Sequence, residues 1–539
     1  MSASEPASPP AAPPPTAAPS SNDRRTLADR PVPKGLAAAG AFLSGLLYFL
    51  AFPGVNLWPL AIVAFVPFYV VLLGQTPRRA AWLGLLQGTT MNATGFYWLM
   101  SMLKTFSGFP APICAFFVLV VAAFQGGRSA LHAWLFARVT QRGVAPALAF
   151  AGTFVAAELT FPVLFTWYFG GVAHDTPALA QVADLGGPIL VGLALIGANL
   201  ALAELVVARL EARSISRRIV GIGAGGLAAT VLYGAVRIGS VDARAAASEP
   251  LHVGIVQGNL GLMQKREDPA EGLRRHKRLT QELRQKGAEL VVWSESSVTF
   301  AVPENVHEAF MKNRVSAGAG VPMVFGAVVY RSDPDRERWF NTALSSNAQG
   351  DITARYDKHY LLAFGEYLPF GEELPILHKW SPNSGRFSKG KEFRPLLFSR
   401  GGKDYKLGTL ICYEDILPRF TSDLVNQEDP DLLVNITNDA WFGDTLEPWQ
   451  HLALAKFRAI EHRRYLVRAT NSGVSAIVDP VGRTMAHTPT FKPATVDTVV
   501  HFMRGQTVYA FLGDVPWLLV TLLMFGFALR PLPGLQKKD

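Results

Sequence analysis

Cysteine is nearly absent: two occur in 539 residues, Cys114 and Cys412. Cys114 lies inside a long apolar run, from which a bridge to Cys412 would be geometrically awkward, so a disulfide framework is ruled out and Cys412 is expected as a free thiol. Charge is sparse as well. Only 17% of residues are charged against 49% hydrophobic, a balance that argues against a soluble protein and for a membrane protein. The surplus of +9 falls in short clusters between apolar runs rather than along one polar face, so it reports membrane topology and no nucleic-acid partner. His132 and His174 lack metal-ligand spacing, and neither a metal nor a cofactor is expected.

What is abundant is apolar sequence. Runs long enough to cross a hydrocarbon core of ~30 Å occur at roughly 36–52, 57–74, 81–103, 112–137, 145–165, 186–208, 219–238 and 508–529. Residues 1–33, rich in Pro, Ala and Ser, hold too little apolar surface to fold and read as a disordered tail, not as a secretory leader. Alternate connections are basic: Arg24, Arg25, Arg30 and Lys34; Arg78 and Arg79; Arg138 and Arg142; Arg209, Arg213, Arg217 and Arg218; Arg530, Lys537 and Lys538. The intervening loops carry only Lys104, so both termini are expected in the cytoplasm. A seven-span domain over 34–240, an outer polar domain over 250–503 and a last span at 508–529 follow. In a bacterium the outer side of the inner membrane is the periplasm.

In the polar segment, short β-branched runs at 252–256, 289–293, 322–330, 340–345, 352–356, 405–411, 431–436 and 474–479 alternate with helix-like stretches at 270–286, 304–317 and 449–466, the pattern of a layered α/β domain. Cys412 follows one such strand in Leu-Ile-Cys-Tyr-Glu-Asp, at the start of an acidic stretch. It reads either as a nucleophile on a strand-to-helix turn or as a buried structural thiol. A catalytic thiol needs a base and a cation for the oxyanion. Glu295, in Val-Val-Trp-Ser-Glu-Ser, and Lys358, in Arg-Tyr-Asp-Lys-His-Tyr, both stand at strand ends. Singly each reads as a solvated charge; the order Glu, Lys, Cys raises all three together.

These segments, with Asn-Asp-Ala-Trp-Phe-Gly at 438–443 and Arg-Ala-Thr-Asn-Ser-Gly at 468–473, resemble the carbon-nitrogen hydrolase (nitrilase) superfamily with its Glu-Lys-Cys triad. With the spans, and with Leu-Ala-Phe-Pro-Gly-Val-Asn-Leu-Trp-Pro-Leu at 50–60 and Gly-Phe-Tyr-Trp at 95–98, the chain from about 36 to 530 resembles the apolipoprotein N-acyltransferase family. The resemblance implies an α-helical transmembrane bundle of about eight spans plus an α/β nitrilase-like αββα sandwich. It implies a phospholipid acyl donor, a thioester on Cys412, and the α-amine of a diacylglyceryl-cysteine apolipoprotein as acceptor. Glu295 would be the general base, with Lys358 and the Tyr413 backbone N–H on the oxyanion. A membrane-tethered amidase and a catalytically inactive lipid- or lipoprotein-binding relative are the competing readings; a transporter is weaker, for want of an internal repeat.

Further residues map by motif. Glu366 supports the lysine or is a surface charge. Glu414 orients Lys358 or caps the following helix. Trp441 and Phe442 form a lipid-facing loop or a packed aromatic pair. Leu361, Leu362, Phe364 and Tyr367 make an apolar loop before Pro369, either gating acyl entry or covering the core. Glu158, near Trp167, is expected at a lipid headgroup, and Arg128 against a carboxylate in the bundle. Two features depart from the family: Ser294 replaces the usual proline, and Lys265 and Arg266 stand where a tryptophan is expected.

Overall fold

The computed structural model describes residues 26–531, apart from 262–268, 335, 363–364, 369–370, 372, 375, 377–384 and 386. Most of the tail, the Lys265–Arg266 departure, Phe364 and Pro369 therefore lie outside the described residues.

The first half is helical. Helices Ala111–Thr140, Ala183–Leu210 and Arg217–Ala246 are long and apolar enough to cross a membrane, while Lys34–Leu50, Trp58–Leu72, Pro146–Thr160 and Val515–Leu529 are shorter apolar helices. Three apolar runs are not single helices. The 3-10 turn Trp58–Ile62 stops before Val66–Leu72, and Pro67 in the first turn of the latter lacks the N–H that a continuous helix would need there. The run at 81–103 divides between Pro77–Gly95 and Leu99–Ser107, and that at 508–529 bends at Gly513 and Asp514, between Val508–Leu512 and Val515–Leu529. The helices Pro77–Gly95 and Ala111–Thr140 pack backbone to backbone: a Cβ on Gly88 would sit 2.7 Å from Gly126 Cα, so small residues set their separation.

The second half carries two sheets. β1 (Pro250–Gln257), β2 (Leu290–Trp293), β4 (Met323–Ser332), β5 (Glu337–Ser346), β6 (Ile352–Asp357) and β13 (Ala494–His501) form one, in the order β13-β1-β2-β4-β5-β6, with β3 (Ala301–Pro303) paired to β4. The other runs β12 (Thr484–His487), β11 (Ala476–Val478), β10 (Leu466–Thr470), β9 (Leu432–Thr437), β8 (Lys403–Ile411), β7 (Leu396–Arg400). The two-residue period of each strand divides its side chains between faces. Leu290 and Val292 of β2 meet Leu432, Val434 and Ile436 of β9 in the core between the sheets, whereas Val291 and Trp293 face outward onto Leu279 and Leu283 of helix Pro269–Gln285. Helices Pro418–Glu428 and Glu447–His462 cover the outer face of the second sheet through Val425, Leu452 and Ala455. The result is a four-layer αββα sandwich. The expected helix at 449–466 ends at His462, and Leu466 opens β10, since Arg463 takes a left-handed φ of 52° that stops the helix.

The sandwich docks on one end of the helical half. Gln450 Nε2 donates to Gly95 O at 2.9 Å and its Oε1 accepts from Trp98 Nε1 at 3.1 Å. Arg463 reaches Asp184 at 2.6 Å. At the opposite end Arg79 donates to Val32 O and Arg142 to Arg530 O, so the basic connections gather away from the sandwich.

Candidate active site

Three strand ends, those of β2, β6 and β8, converge at one rim of the sandwich. Glu295 follows β2, and β4 crosses directly behind it: a Cβ on Gly326 would fall 2.8 Å from Glu295 Cα, so this approach admits only glycine. Ser294 is fully buried there, its carbonyl accepting from Gly326 N at 3.3 Å. Lys358 follows β6 and is 1% exposed; its Nζ lies 2.7 Å from Glu366 Oε2 and 3.7 Å from Glu295 Oε1. Asn341 on β5 ties the two carboxylates together, Nδ2 donating to Glu295 Oε1 at 2.6 Å and to Glu366 Oε1 at 2.8 Å. Burial opposes the charge on Lys358, but Glu366, Cys412 and Glu295 outweigh it and hold the ammonium above its ordinary range. Glu366 is mostly buried and ion-paired to the lysine.

Cys412 ends β8 on a turn with φ of +52° and is partly accessible. Burial, reinforced by the Glu295 carboxylate, pushes its thiol up to about 12, against Lys358 and His451. The resting thiol is therefore protonated at neutral pH, and a base must take its proton when it reacts. Glu414 does not cap the helix that follows, Pro418–Glu428, whose N-cap Leu417 has no side-chain partner. Its carboxylate accepts from Ile411 N at 2.8 Å, His359 N at 2.7 Å, Tyr360 N at 2.9 Å and Tyr356 Oη at 3.0 Å, fastening the Lys358 segment to the turn that carries Cys412. Burial raises Glu414 to about 7, opposed by these donors and by Lys358.

The same turn is anchored to the helical half. Tyr413 Oη lies 3.1 Å from Thr166 Oγ1, donates to Leu164 O at 3.3 Å, and its ring stacks on Tyr360. Trp441 and Phe442 part company: Phe442 is buried edge-on against Trp98 at 5.0 Å, while Trp441 is 38% exposed. Leu361 is buried and Tyr360 exposed, so the loop after Lys358 covers core with one side chain and presents another outward.

Glu158 and Trp167 sit within the helical half. Glu158 Oε1 accepts from Phe169 N at 2.7 Å, and Trp167 is buried against Phe52 with its carbonyl accepting from Arg128 Nη1 at 2.6 Å. Arg128 thus bonds a carbonyl and lines one cavity with the Glu158 carboxylate.

Sequence reasoning assigned nothing to a buried ionic cluster behind Cys412. Asp415, Asp439, His451 and Arg468 interlock there, with Asn435 joining Arg468 to the Cys412 carbonyl. Asp439 is the second residue of the motif at 438–443 and Arg468 the first of that at 468–473, which was the available signal. Among the described residues, Asp439, Glu447 and His451 bring ligand atoms close enough for a metal ion. Arg468 and His451 already occupy the aspartates, which makes the cluster an ion-pair network.

The chain matches the family model for carbon-nitrogen hydrolase over residues 252–503 and that for the apolipoprotein N-acyltransferase N-terminal domain over 44–201. The apolipoprotein N-acyltransferase of Geobacter metallireducens is 30% identical over 487 residues, covering 88% of this chain and 91% of that protein. That of Azotobacter vinelandii is 31% identical over 499 residues, covering 91% and 94%. An amidase from Nesterenkonia sp. aligns with 48% of this chain and 92% of its own at 18% identity and a TM-score of 0.34. Matched along both its helical half and its sandwich by relatives of this identity, the chain belongs to the apolipoprotein N-acyltransferase family.

Proposed function

We propose that this protein transfers a fatty acyl chain from a phospholipid, through a thioester on Cys412, to the α-amine of the N-terminal diacylglyceryl-cysteine of apolipoproteins. The observation that carries the reading is Cys412 on its left-handed turn, within electrostatic reach of the Glu295–Lys358 pair, on a segment that Tyr413 ties to the helical half. Glu295 takes the thiol proton as sulfur attacks the ester carbonyl, then gives it to the departing lysophospholipid oxygen. Lys358 and the Tyr413 N–H stabilise the oxyanion in between. The neutral amine attacks the thioester next, its surplus proton passes through Glu295, and the thiol is regenerated.

The topology belongs to the same reading: about eight spans over 34–240 and 508–529, a catalytic domain over 250–503 in the periplasm, and both termini in the cytoplasm of a bacterium. Collection of Arg79, Arg142 and Arg530 at the end remote from the sandwich supports it. Glu366, Glu414 and Tyr413 are assigned as supporting residues, with Trp441 on the lipid side.

The test is intact mass of the purified protein after incubation with phospholipid vesicles and no acceptor, with Cys412→Ser beside it. A hydroxylamine-labile acyl adduct on Cys412 is expected. No adduct on accessible lipid would overturn the reading in favour of a tethered amidase or an inactive relative.

A further inference from the structure

Cys412 holds a backbone angle that costs a residue with a side chain roughly 1–3 kcal/mol, so its surroundings must impose it. They do so from several elements. Ahead of the turn, Glu414 accepts from Ile411 N. From β9, Asn435 Nδ2 donates to Leu410 O at 3.1 Å and to Cys412 O at 3.4 Å. Beyond the turn, Asp415 is gripped by Arg468 of β10 and by His451 of helix Glu447–His462.

His451 stands between two buried carboxylates: Nε2 is 2.8 Å from Asp415 Oδ1 and Nδ1 is 3.2 Å from Asp439 Oδ1. Carboxylates only accept, so both ring nitrogens donate and the imidazole is doubly protonated. Burial and Arg468 oppose that charge, and Asp415 and Asp439 prevail, holding His451 well above its ordinary range. Arg468 is paired to the same two aspartates, so two cations balance two anions. Glu447, 3.6 Å from His451 Nδ1, is pushed up to about 7 by burial and then by Asp439. Cys412 and Tyr413 complete the groups that feel the imidazolium. The residue before it, Gln450, is bonded to Gly95 and Trp98, so the helix bearing His451 is fixed to the helical half of the molecule.

We propose that His451 is a positioning residue for acyl transfer: by bridging Asp415 and Asp439 it sets the turn that presents the Cys412 sulfur to Glu295 and Lys358. The proposal rests on the reading of Cys412 as the acyl carrier. A single imidazolium reaching two aspartates on separate segments locks the end of the turn to the loop after β9, and no neutral side chain of similar size donates in both directions along that line. Displacement of a reacting atom by about 1 Å costs on the order of 100-fold in rate, which is the scale of effect the bridge protects.

The experiment compares full-length wild type, His451→Gln and His451→Gln/Asp439→Asn. The single variant leaves one uncompensated buried carboxylate, and the double variant restores neutrality so that the fold is retained. Each is incubated with phosphatidylethanolamine vesicles, and growth of the Cys412 adduct is followed by intact mass across lipid concentrations. Iodoacetamide alkylation of Cys412 is measured against pH in parallel. Both variants are expected to acylate on the order of 100-fold more slowly at saturating lipid, with the lipid concentration for half-maximal rate little changed. The alkylation midpoint should move up, because a cation that favours the thiolate is gone. The double variant should recover the wild-type Tm without recovering the rate. A wild-type rate and alkylation profile in either folded variant would overturn the proposal and leave His451 a structural ion. Failure of the wild type itself to form the adduct would instead remove the acyl-carrier reading on which it stands.

Discussion

Asn341→Ala removes a side chain that donates to both carboxylates around Lys358, at 2.6 Å to Glu295 and 2.8 Å to Glu366. A hydrogen bond to a charged acceptor contributes about 1.5–3 kcal/mol, and only the bond to Glu295 acts on the base. Its loss lets the carboxylate rotate away from the thiol, and about 1.5–3 kcal/mol of lost transition-state stabilisation corresponds to roughly 10- to 150-fold in rate. The bond to Glu366 is expressed as stability instead. Lys358 keeps Glu366 at 2.7 Å, so the buried charge remains paired and the fold survives with a lower Tm. The assay is the rate of Cys412 acylation from phospholipid vesicles without acceptor, read by intact mass beside thermal unfolding. Acylation at the wild-type rate, in a variant with the wild-type Tm, would refute the reasoning, since two buried bonds to charged partners would then carry nothing.

Lys358→Ala should slow acylation by on the order of 100-fold or more, as loss of a major oxyanion donor does, and a wild-type rate would remove the lysine from the mechanism. Glu295→Gln should separate reactivity from catalysis. The Glu295 charge helps raise the Cys412 thiol to about 12, so its removal should move the iodoacetamide profile to lower pH while phospholipid acylation stops for want of a base; an upward shift would contradict this sign. Glu414→Ala strips acceptors from three backbone N–H groups at the turn and the Lys358 segment, each costing about 1–3 kcal/mol if left unsatisfied. A fall in Tm with faster proteolysis after Lys358 is expected, and unchanged values for both would show that Glu414 ties nothing together.

The residues of the proposed triad were legible because each stands where a β-branched run stops, and a strand end is a local, readable event. Asn341 was not. It lies in the middle of β5, where its amide meets Glu295 and Glu366 only because β4 sets β5 one strand away from β2 and β6 pairs with β5 on its other side. The ionic cluster escaped for the same reason: Asp415, Asn435, Asp439, His451 and Arg468 come from separate segments, and an isolated charge in sequence reads as solvated. The short strands at 396–400, 484–487 and 494–501 were also passed over, being edges with little apolar alternation of their own.

The sequence by itself determined the division into an apolar helical half and an α/β half, because mean composition and two-residue alternation are properties of the chain before it folds. It also determined the order and spacing of Glu295, Lys358 and Cys412. The tertiary structure decided where helices break inside the apolar runs, which carboxylates neutralise Lys358, and that Phe442 packs inward while Trp441 faces out. It alone decided that Cys412 sits on a turn held by Glu414, Asn435 and Asp415 and anchored through Tyr413 to Thr166. Those contacts join residues up to 247 positions apart, and hydrogen bonds and ion pairs act over a few ångströms, so no local pattern in the chain encodes them.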